Sequence, residues 1–198
     1  MIKCHNLERR FSQVKEQYWE YMHDIVQRET VNNGYYTNSV ERYLQKVSGR
    51  KYALLTNNGS NSLLLSMLAL GIGLGDEVIV TNYSCPASET FVKIAGATPV
   101  YCDIGLDGTM NSFLLDDLVT KRTRAVVATG LYGDMHPHES IQAFCIRHGV
   151  HYVNDAAQSI FATHRGVSSL ATGRICLLYT SDAADDSLRV DLGGRRII

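Results

Sequence analysis

The stretch that decides the fold is Gly149-Val150-His151-Tyr152-Val153-Asn154-Asp155-Ala156-Ala157-Gln158. The short apolar run Val150–Val153 follows a predicted helix, which favours a buried strand, and the polarity changes abruptly at Asn154. In open α/β sheets, ligands bind beyond the carboxyl ends of the strands, so Asp155 is a candidate ligand-binding acid. An aspartate here could instead cap the next helical turn, and the local pattern leaves that alternative open.

Segments with strand and helix periodicity alternate from Lys51 onward. Strands are predicted at Tyr52–Thr56, Glu77–Val80, Pro99–Cys102, Ala125–Thr129 and Val150–Val153, and helices at Gly59–Leu70, Ala87–Ala95, Asn111–Leu118 and His138–Arg147. Strands that alternate with helices favour right-handed crossovers and a mainly parallel sheet. We therefore expect one α/β domain with three layers, in which helices cover both faces of the sheet.

Two amphipathic helices are predicted within residues 1–50. Apolar side chains recur every three or four residues over Leu7–Glu29 and again from Val40, and Gly49 stands where a glycine commonly ends a helix. A polar, turn-rich connection over residues 32–38 is expected to separate the two helices. We expect this helical segment to pack on the large domain.

Composition excludes several classes of protein. The chain has 198 residues, 45% of them hydrophobic and 20% charged, with a formal net charge of −1. This balance gives no electrostatic argument for nucleic acid or for a membrane surface. The five cysteines are scattered and lack CxxC spacing, so neither a disulfide framework nor a zinc site is indicated. No apolar signal region or membrane-spanning run is present, and we expect a cytoplasmic protein.

The connection Thr56-Asn57-Asn58-Gly59-Ser60-Asn61-Ser62 leads into an unusually apolar helix. Glycine and small hydroxyl residues at a helix N-terminus leave N–H groups and the positive end of the helix dipole available to an anion. The connection contains neither a dinucleotide-binding GxGxxG nor a P-loop GK(S/T). Plain capping by Asn58, Ser60 or Asn61 is the alternative, but the acid at the end of a later strand favours a phosphate site.

Several motifs follow one another in a characteristic order. They are Asn58–Leu63, Leu70–Val80, Ala95–Asp103, Tyr132-Gly133 and Asp155–Gln158. In sequence and spacing they resemble the DegT/StrS-type sugar aminotransferases, which are pyridoxal 5′-phosphate (PLP) enzymes that make amino sugars on nucleotide carriers. The resemblance implies the large domain of PLP-dependent transferase fold type I, in an incomplete form.

The resemblance also implies roles for individual residues. Asp155 pairs with the pyridine nitrogen of PLP and keeps it protonated, so that the ring can act as an electron sink. Gln158 hydrogen-bonds the phenolic oxygen of the ring, and Gly59 with Ser60 holds the phosphate. Cys85 stands where the family usually places an aromatic side chain against the ring.

The stacking residue stays open, because Cys85 is not aromatic and Tyr83 lies close by. A packed thiol is favoured over a nucleophile at Cys85, since nothing in the sequence pairs it with a base. The segment Asp134–Glu139 contains two histidines and two carboxylates, which could suggest a metal. A loop and helix start is more typical of such a segment, and the family has no metal there.

PLP transamination needs a lysine that holds the cofactor covalently and moves a proton. In the family this lysine follows the Asp-Ala-Ala-Gln motif. The six lysines here are Lys3, Lys15, Lys46, Lys51, Lys93 and Lys121, so no lysine follows the motif and we assign no catalytic residue. Cys176–Asp186 looks like a translated sequencing adapter. We therefore expect residues 51–175 to be a truncated large domain and residues 176–198 to be a non-native tail.

The sequence thus predicts PLP-dependent transfer of an amino group from glutamate or glutamine to a nucleotide-linked keto-sugar, by a protein of which this chain lacks the catalytic lysine. One alternative is a PLP-dependent sugar dehydratase of the same family, in which histidine replaces the lysine. Another is a non-catalytic protein that binds PLP or a nucleotide sugar. The resemblance also implies a homodimer with small-molecule substrates and no nucleic-acid or membrane partner.

Overall fold

Five parallel strands form the central sheet of the structure, a computed structural model that describes residues 7–28, 34–178 and 196–197. They are β2 (Glu77–Thr81), β3 (Thr98–Cys102), β4 (Thr123–Thr129), β5 (His151–Asp155) and β8 (Ile175–Leu177). Their order across the sheet is β3-β2-β4-β5-β8, and each neighbouring pair is parallel. The predicted parallel sheet is confirmed.

Helices that follow residue 58 in the chain cover the two faces of this sheet. The described helices are α1 (Leu7–Gln27), α2 (Tyr35–Ser48), α3 (Gly59–Ala69), α4 (Ala87–Ile94), α5 (Leu115–Leu118) and α6 (His138–His148). Successive strand residues point to opposite faces. Val127 and Val153 share a buried cluster with side chains of α3 and α4, whereas Val126 and Tyr152 share another with side chains of α5 and α6. The expected three-layer α/β fold is therefore confirmed.

Short elements complete the fold. They are β1 (Leu55–Thr56), which pairs antiparallel with β9 (Arg196–Ile197), the hairpin of β6 (Thr163–His164) and β7 (Val167–Ser168), and 3₁₀ helices at Ser112–Leu114 and Ser169–Ala171. The prediction of a strand from Tyr52 was too long, since β1 has two residues. Tyr52 and Leu54 are exposed, so the apolar pattern there does not reflect burial.

The sheet also bears on the expected tail. Cys176 and Leu177 lie in β8, whose register with β5 pairs Leu177 with Asp155. Residues 179–195 and 198 lie outside the described residues, as does Lys3. That residues 176–198 are non-native stays a prediction.

The chain divides into two units, residues 1–43 and 44–198. In the first unit, α2 begins at Tyr35, so the prediction that Tyr35 and Tyr36 belong to a loop was wrong. The Tyr36 hydroxyl donates to Asp24 Oδ2 at 2.8 Å, a contact between two helices that sequence periodicity does not reveal. How the N-terminal segment packs on the large domain stays a prediction. Among the described helices, none is long and apolar enough to cross a membrane.

Candidate cofactor site

The carboxyl ends of the parallel strands meet at one edge of the sheet, and the candidate residues lie along this edge. Tyr83 and Cys85 follow β2, Tyr132 follows β4, and Asp155 ends β5. Helix α3 packs on the sheet and leads into β2, so it runs antiparallel to the strands and its N-terminus, at Gly59, faces the same edge. The topology therefore gathers the predicted cofactor residues at one edge.

Asp155 is fully buried at the end of β5. It pairs in register with Thr129 on one side and Leu177 on the other. Leu177 and Val153 belong to the cluster on the face of α3 and α4, so strand alternation directs Asp155 to that face. Its Oδ1 also accepts the N–H of Ala157 at 3.2 Å, which is a contact within a turn, since no helix is described between β5 and β6. A buried carboxylate favours a positively charged partner on this face.

The N-terminus of α3 is capped and still leaves donors available. Asn58 Oδ1 accepts the N–H of Asn61 at 2.7 Å, and Asn58 O accepts the N–H of Ser62 at 3.1 Å. The capping alternative is therefore confirmed for Asn58. Among the residues that the structure describes, the N–H groups of Gly59 and Ser60 have no hydrogen-bond partner, so these two donors are available to an anion.

Two hydroxyl groups brace the connection before α3. The Thr56 and Ser62 hydroxyls lie 2.6 Å apart in a buried hydrogen bond, and the Thr56 hydroxyl also donates to Asn58 O at 2.9 Å. Ser62 is fully buried. These contacts fix the backbone that presents the first-turn N–H groups, so an anion would meet donors that are already oriented.

Gln158 is exposed and is oriented by the backbone of a neighbouring loop. Its Oε1 accepts the N–H of Tyr132 at 3.2 Å. Because the amide oxygen is engaged in this bond, the Nε2 amine is the group left to donate to a ligand. This orientation suits the predicted hydrogen bond to a phenolic oxygen.

Tyr132 has a backbone φ of 55°, in the left-handed region that non-glycine residues rarely adopt. Its hydroxyl lies 2.9 Å from the Tyr83 hydroxyl, and this hydrogen bond raises the pKa of Tyr132. Sequence reasoning assigned no role to Tyr132. Its place in the motif Tyr132-Gly133, three residues after the end of β4, was the available signal, since uncommon backbone conformations concentrate at functional sites.

The remaining sequence candidates fall into two groups. Cys85 is exposed in the loop between β2 and α4, at the carboxyl edge, and its place against a ring stays a prediction. His136 Nε2 hydrogen-bonds the Tyr152 hydroxyl, and burial lowers the pKa of His136 to about 4. His136 is therefore a neutral core residue. In the ranges that the structure describes, no three His, Cys, Asp or Glu side chains come together as a metal site.

A cleft of about 430 Å³ lies apart from the candidate cofactor residues, beside β8. Arg50 lines it and donates from Nε to Leu170 O at 2.7 Å and from Nη2 to Gly173 O at 2.9 Å. The guanidinium thus holds the loop that precedes β8. Its role is structural, and sequence reasoning did not predict it because the contact spans more than a hundred residues of chain.

Comparison with known sequences identifies the family. The model of the DegT/DnrJ/EryC1/StrS aminotransferase family matches residues 12–177. The chain belongs to this family. The aminotransferases of the DegT family depend on PLP.

Individual relatives agree with this placement. UDP-2-acetamido-2-deoxy-3-oxo-D-glucuronate aminotransferase of Pseudomonas aeruginosa is 35% identical over 131 residues, which are 66% of this chain and 36% of the relative. The crystal structure of DesV from S. venezuelae superposes with a TM-score of 0.80 at 30% identity, over 82% of this chain and 44% of DesV. The crystal structure of ntda from Bacillus subtilis, which contains bound cofactor PMP, superposes with a TM-score of 0.78 at 24% identity, over 84% of this chain and 38% of ntda. The chain thus spans less than half the length of these relatives.

Proposed function

We propose that this chain forms the cofactor-binding part of a PLP-dependent enzyme that transfers an amino group from glutamate or glutamine to a nucleotide-linked keto-sugar. The observation that carries the proposal is the placement of buried Asp155 and the N-terminus of α3 at one edge of the sheet. Family membership supports the reaction class, and the name of the P. aeruginosa relative supports a nucleotide sugar as substrate.

The N-terminus of α3 and the Asp155 carboxylate each fit a different part of PLP. The cofactor carries an anionic phosphate, which suits the N–H groups of Gly59 and Ser60 and the positive end of the α3 dipole. It also carries a basic ring nitrogen, which suits the buried carboxylate of Asp155. When bound, PLP supplies an electron sink for the substrate carbon.

The protein groups have distinct tasks. Asp155 holds a proton on the ring nitrogen, because a buried carboxylate stabilises a cation beside it. Gln158, held by the Tyr132 backbone, donates from Nε2 to the ring oxygen. Cys85 or Tyr83 lies against the ring face; both follow β2, and Tyr83 offers the aromatic surface.

Whether this chain catalyses the transfer by itself depends on the lysine that PLP transamination needs. Three described lysines lie between residues 50 and 125: Lys51 lines the cleft beside β8, Lys93 is paired with Glu89 near the end of α4, and Lys121 precedes β4 at the opposite edge of the sheet. No lysine follows Asp155 in the sequence. We infer that the chain binds the cofactor without turning it over. We also infer, from the family, a cytoplasmic homodimer.

The experiment is a fluorescence titration of the chain with pyridoxamine 5′-phosphate, repeated with pyridoxamine. We expect Asp155→Asn to weaken binding of the phosphate form by about a hundredfold, since the charge partner of the ring nitrogen is lost. Asp103→Asn is the matched control, because Asp103 is an exposed acid just after β3, and it should bind as the wild type does. Pyridoxamine should bind at least about tenfold more weakly than its phosphate.

Mass spectrometry separates the alternatives. Incubation with pyridoxamine 5′-phosphate and a nucleotide-linked keto-sugar should leave the sugar unchanged. An amino sugar would show that this chain catalyses the transfer, and a dehydrated sugar would support the dehydratase. Equal affinities of the wild type and Asp155→Asn would contradict the cofactor site itself.

A further inference from the structure

We propose that the Thr129 hydroxyl contacts the edge of the cofactor ring beside Asp155, as a second buried polar group for the ligand. This assignment rests on the proposed function. The assignment goes beyond the proposed function because neither the sequence motifs nor the family comparison assigns a role to Thr129. Three observations carry it: burial of the hydroxyl, its lack of a partner, and its register with Asp155.

Thr129 is 3% exposed, and its Oγ1 has no hydrogen-bond partner among the described residues. The backbone N–H of the same residue is satisfied, since it donates to Thr81 Oγ1 at 3.2 Å. Burial of a hydroxyl without a partner destabilises a protein, and such a group calls for a specific explanation. A bound ligand that supplies the missing hydrogen bond explains why the Thr129 hydroxyl is buried.

The strand register points the hydroxyl toward the site. Thr129 and Asp155 are direct partners in the parallel pairing of β4 with β5. Val127 and Val153, two residues earlier on the same strands, pack in the cluster with α3 and α4. Strand alternation therefore places the side chains of Thr129 and Asp155 on this face, at the edge where α3 begins.

Two other buried hydroxyls also lack partners among the described residues, and neither has this relation to Asp155. Ser88 lies in the first turn of α4. Ser159 is packed against the loop that follows β4, since a Cβ placed on Gly130 would lie 2.5 Å from Ser159 Oγ. Thr129 is the one of the three that pairs in register with the ring-binding carboxylate.

The test separates a ligand contact from a structural one. Thr129→Val removes the hydroxyl while keeping the shape, and Thr129→Ser keeps the hydroxyl. Thr123→Val is the matched control, because Thr123 lies at the other end of β4 and its Oγ1 accepts the N–H of Thr120 at 2.9 Å. Each variant is titrated with pyridoxamine 5′-phosphate and melted without ligand.

We expect Thr129→Val to weaken binding by about tenfold and Thr129→Ser to bind within about twofold of the wild type. The melting temperature of Thr129→Val should equal or exceed that of the wild type, because an unsatisfied hydroxyl is replaced by a methyl group. Thr123→Val should show the reverse pattern, with a melting temperature lower by about 3 °C and unchanged affinity.

Two results would overturn the assignment while leaving the proposed function intact: wild-type affinity in Thr129→Val, or a melting temperature that falls as it does for Thr123→Val. Failure of the wild type to bind pyridoxamine 5′-phosphate would overturn the proposed function, and the assignment would fall with it. The wild-type titration thus distinguishes the two failures.

Discussion

The candidate site has a floor and a rim, and the two are built differently. The floor consists of Thr129 and Asp155, which are 3% and 0% exposed and are fixed by the pairing of β4 with β5. The rim consists of Tyr83, Tyr132 and Gln158, exposed residues linked by hydrogen bonds between loops. The sheet thus positions the charged carboxylate, where water is excluded, whereas loops position the side chains that are open to solvent.

This difference has an energetic basis. An electrostatic contact in the floor acts in a low effective dielectric, so its loss has a large effect. A hydroxyl pair in the rim exchanges with water, so its loss has a small effect. We therefore expect large effects from changes to buried polar groups and small effects from changes to the rim.

The largest expected effect on stability concerns His136, a buried residue between β4 and α6 that hydrogen-bonds Tyr152 of the sheet. Burial lowers the pKa of His136 to about 4, against about 6.5 in the unfolded chain. Between these values the unfolded chain binds a proton that the folded chain does not. The free energy of unfolding should therefore fall as the pH falls through this window, by about 3 kcal/mol in total. Urea denaturation from about pH 7 to about pH 4 measures it.

His136→Gln should remove most of this pH dependence. His138→Gln is the comparison, because burial also lowers the pKa of His138 but the nearby Glu139 carboxylate opposes the shift. His138→Gln should therefore remove less of the pH dependence than His136→Gln removes. An equal slope in the wild type and His136→Gln would show that His136 is not the group responsible.

The smallest expected effect concerns the rim. Tyr83→Phe removes one hydroxyl of the pair with Tyr132, and both side chains are more than half exposed. We expect a loss of pyridoxamine 5′-phosphate affinity of less than about threefold, measured by the same fluorescence titration. Tyr101→Phe is the matched control, since Tyr101 lies on the edge strand β3, where its exposed hydroxyl bonds Glu89, and its loss should not affect affinity. A tenfold loss in Tyr83→Phe would place Tyr83 with the floor.

The floor and rim also differ in how far sequence could predict them. The helix that begins at Gly59 was predicted, and the strand before the acid was predicted as Val150–Val153 although it runs on to Asp155, because apolar periodicity and small residues at a helix start are local signals. The left-handed Tyr132 was missed, since a backbone conformation held by contacts with other loops leaves no local pattern. Thr129 was missed as a site residue because its importance depends on strand register, which the sequence of one strand does not contain.

The central claim is that Asp155 holds a proton on the ring nitrogen of the cofactor. Nitrogen NMR of the chain with pyridoxamine 5′-phosphate labelled with ¹⁵N in the ring tests it directly, because the ring-nitrogen shift reports protonation. At neutral pH we expect a protonated ring nitrogen in the wild type and a neutral one in Asp155→Asn. A neutral ring nitrogen in the wild type would contradict it.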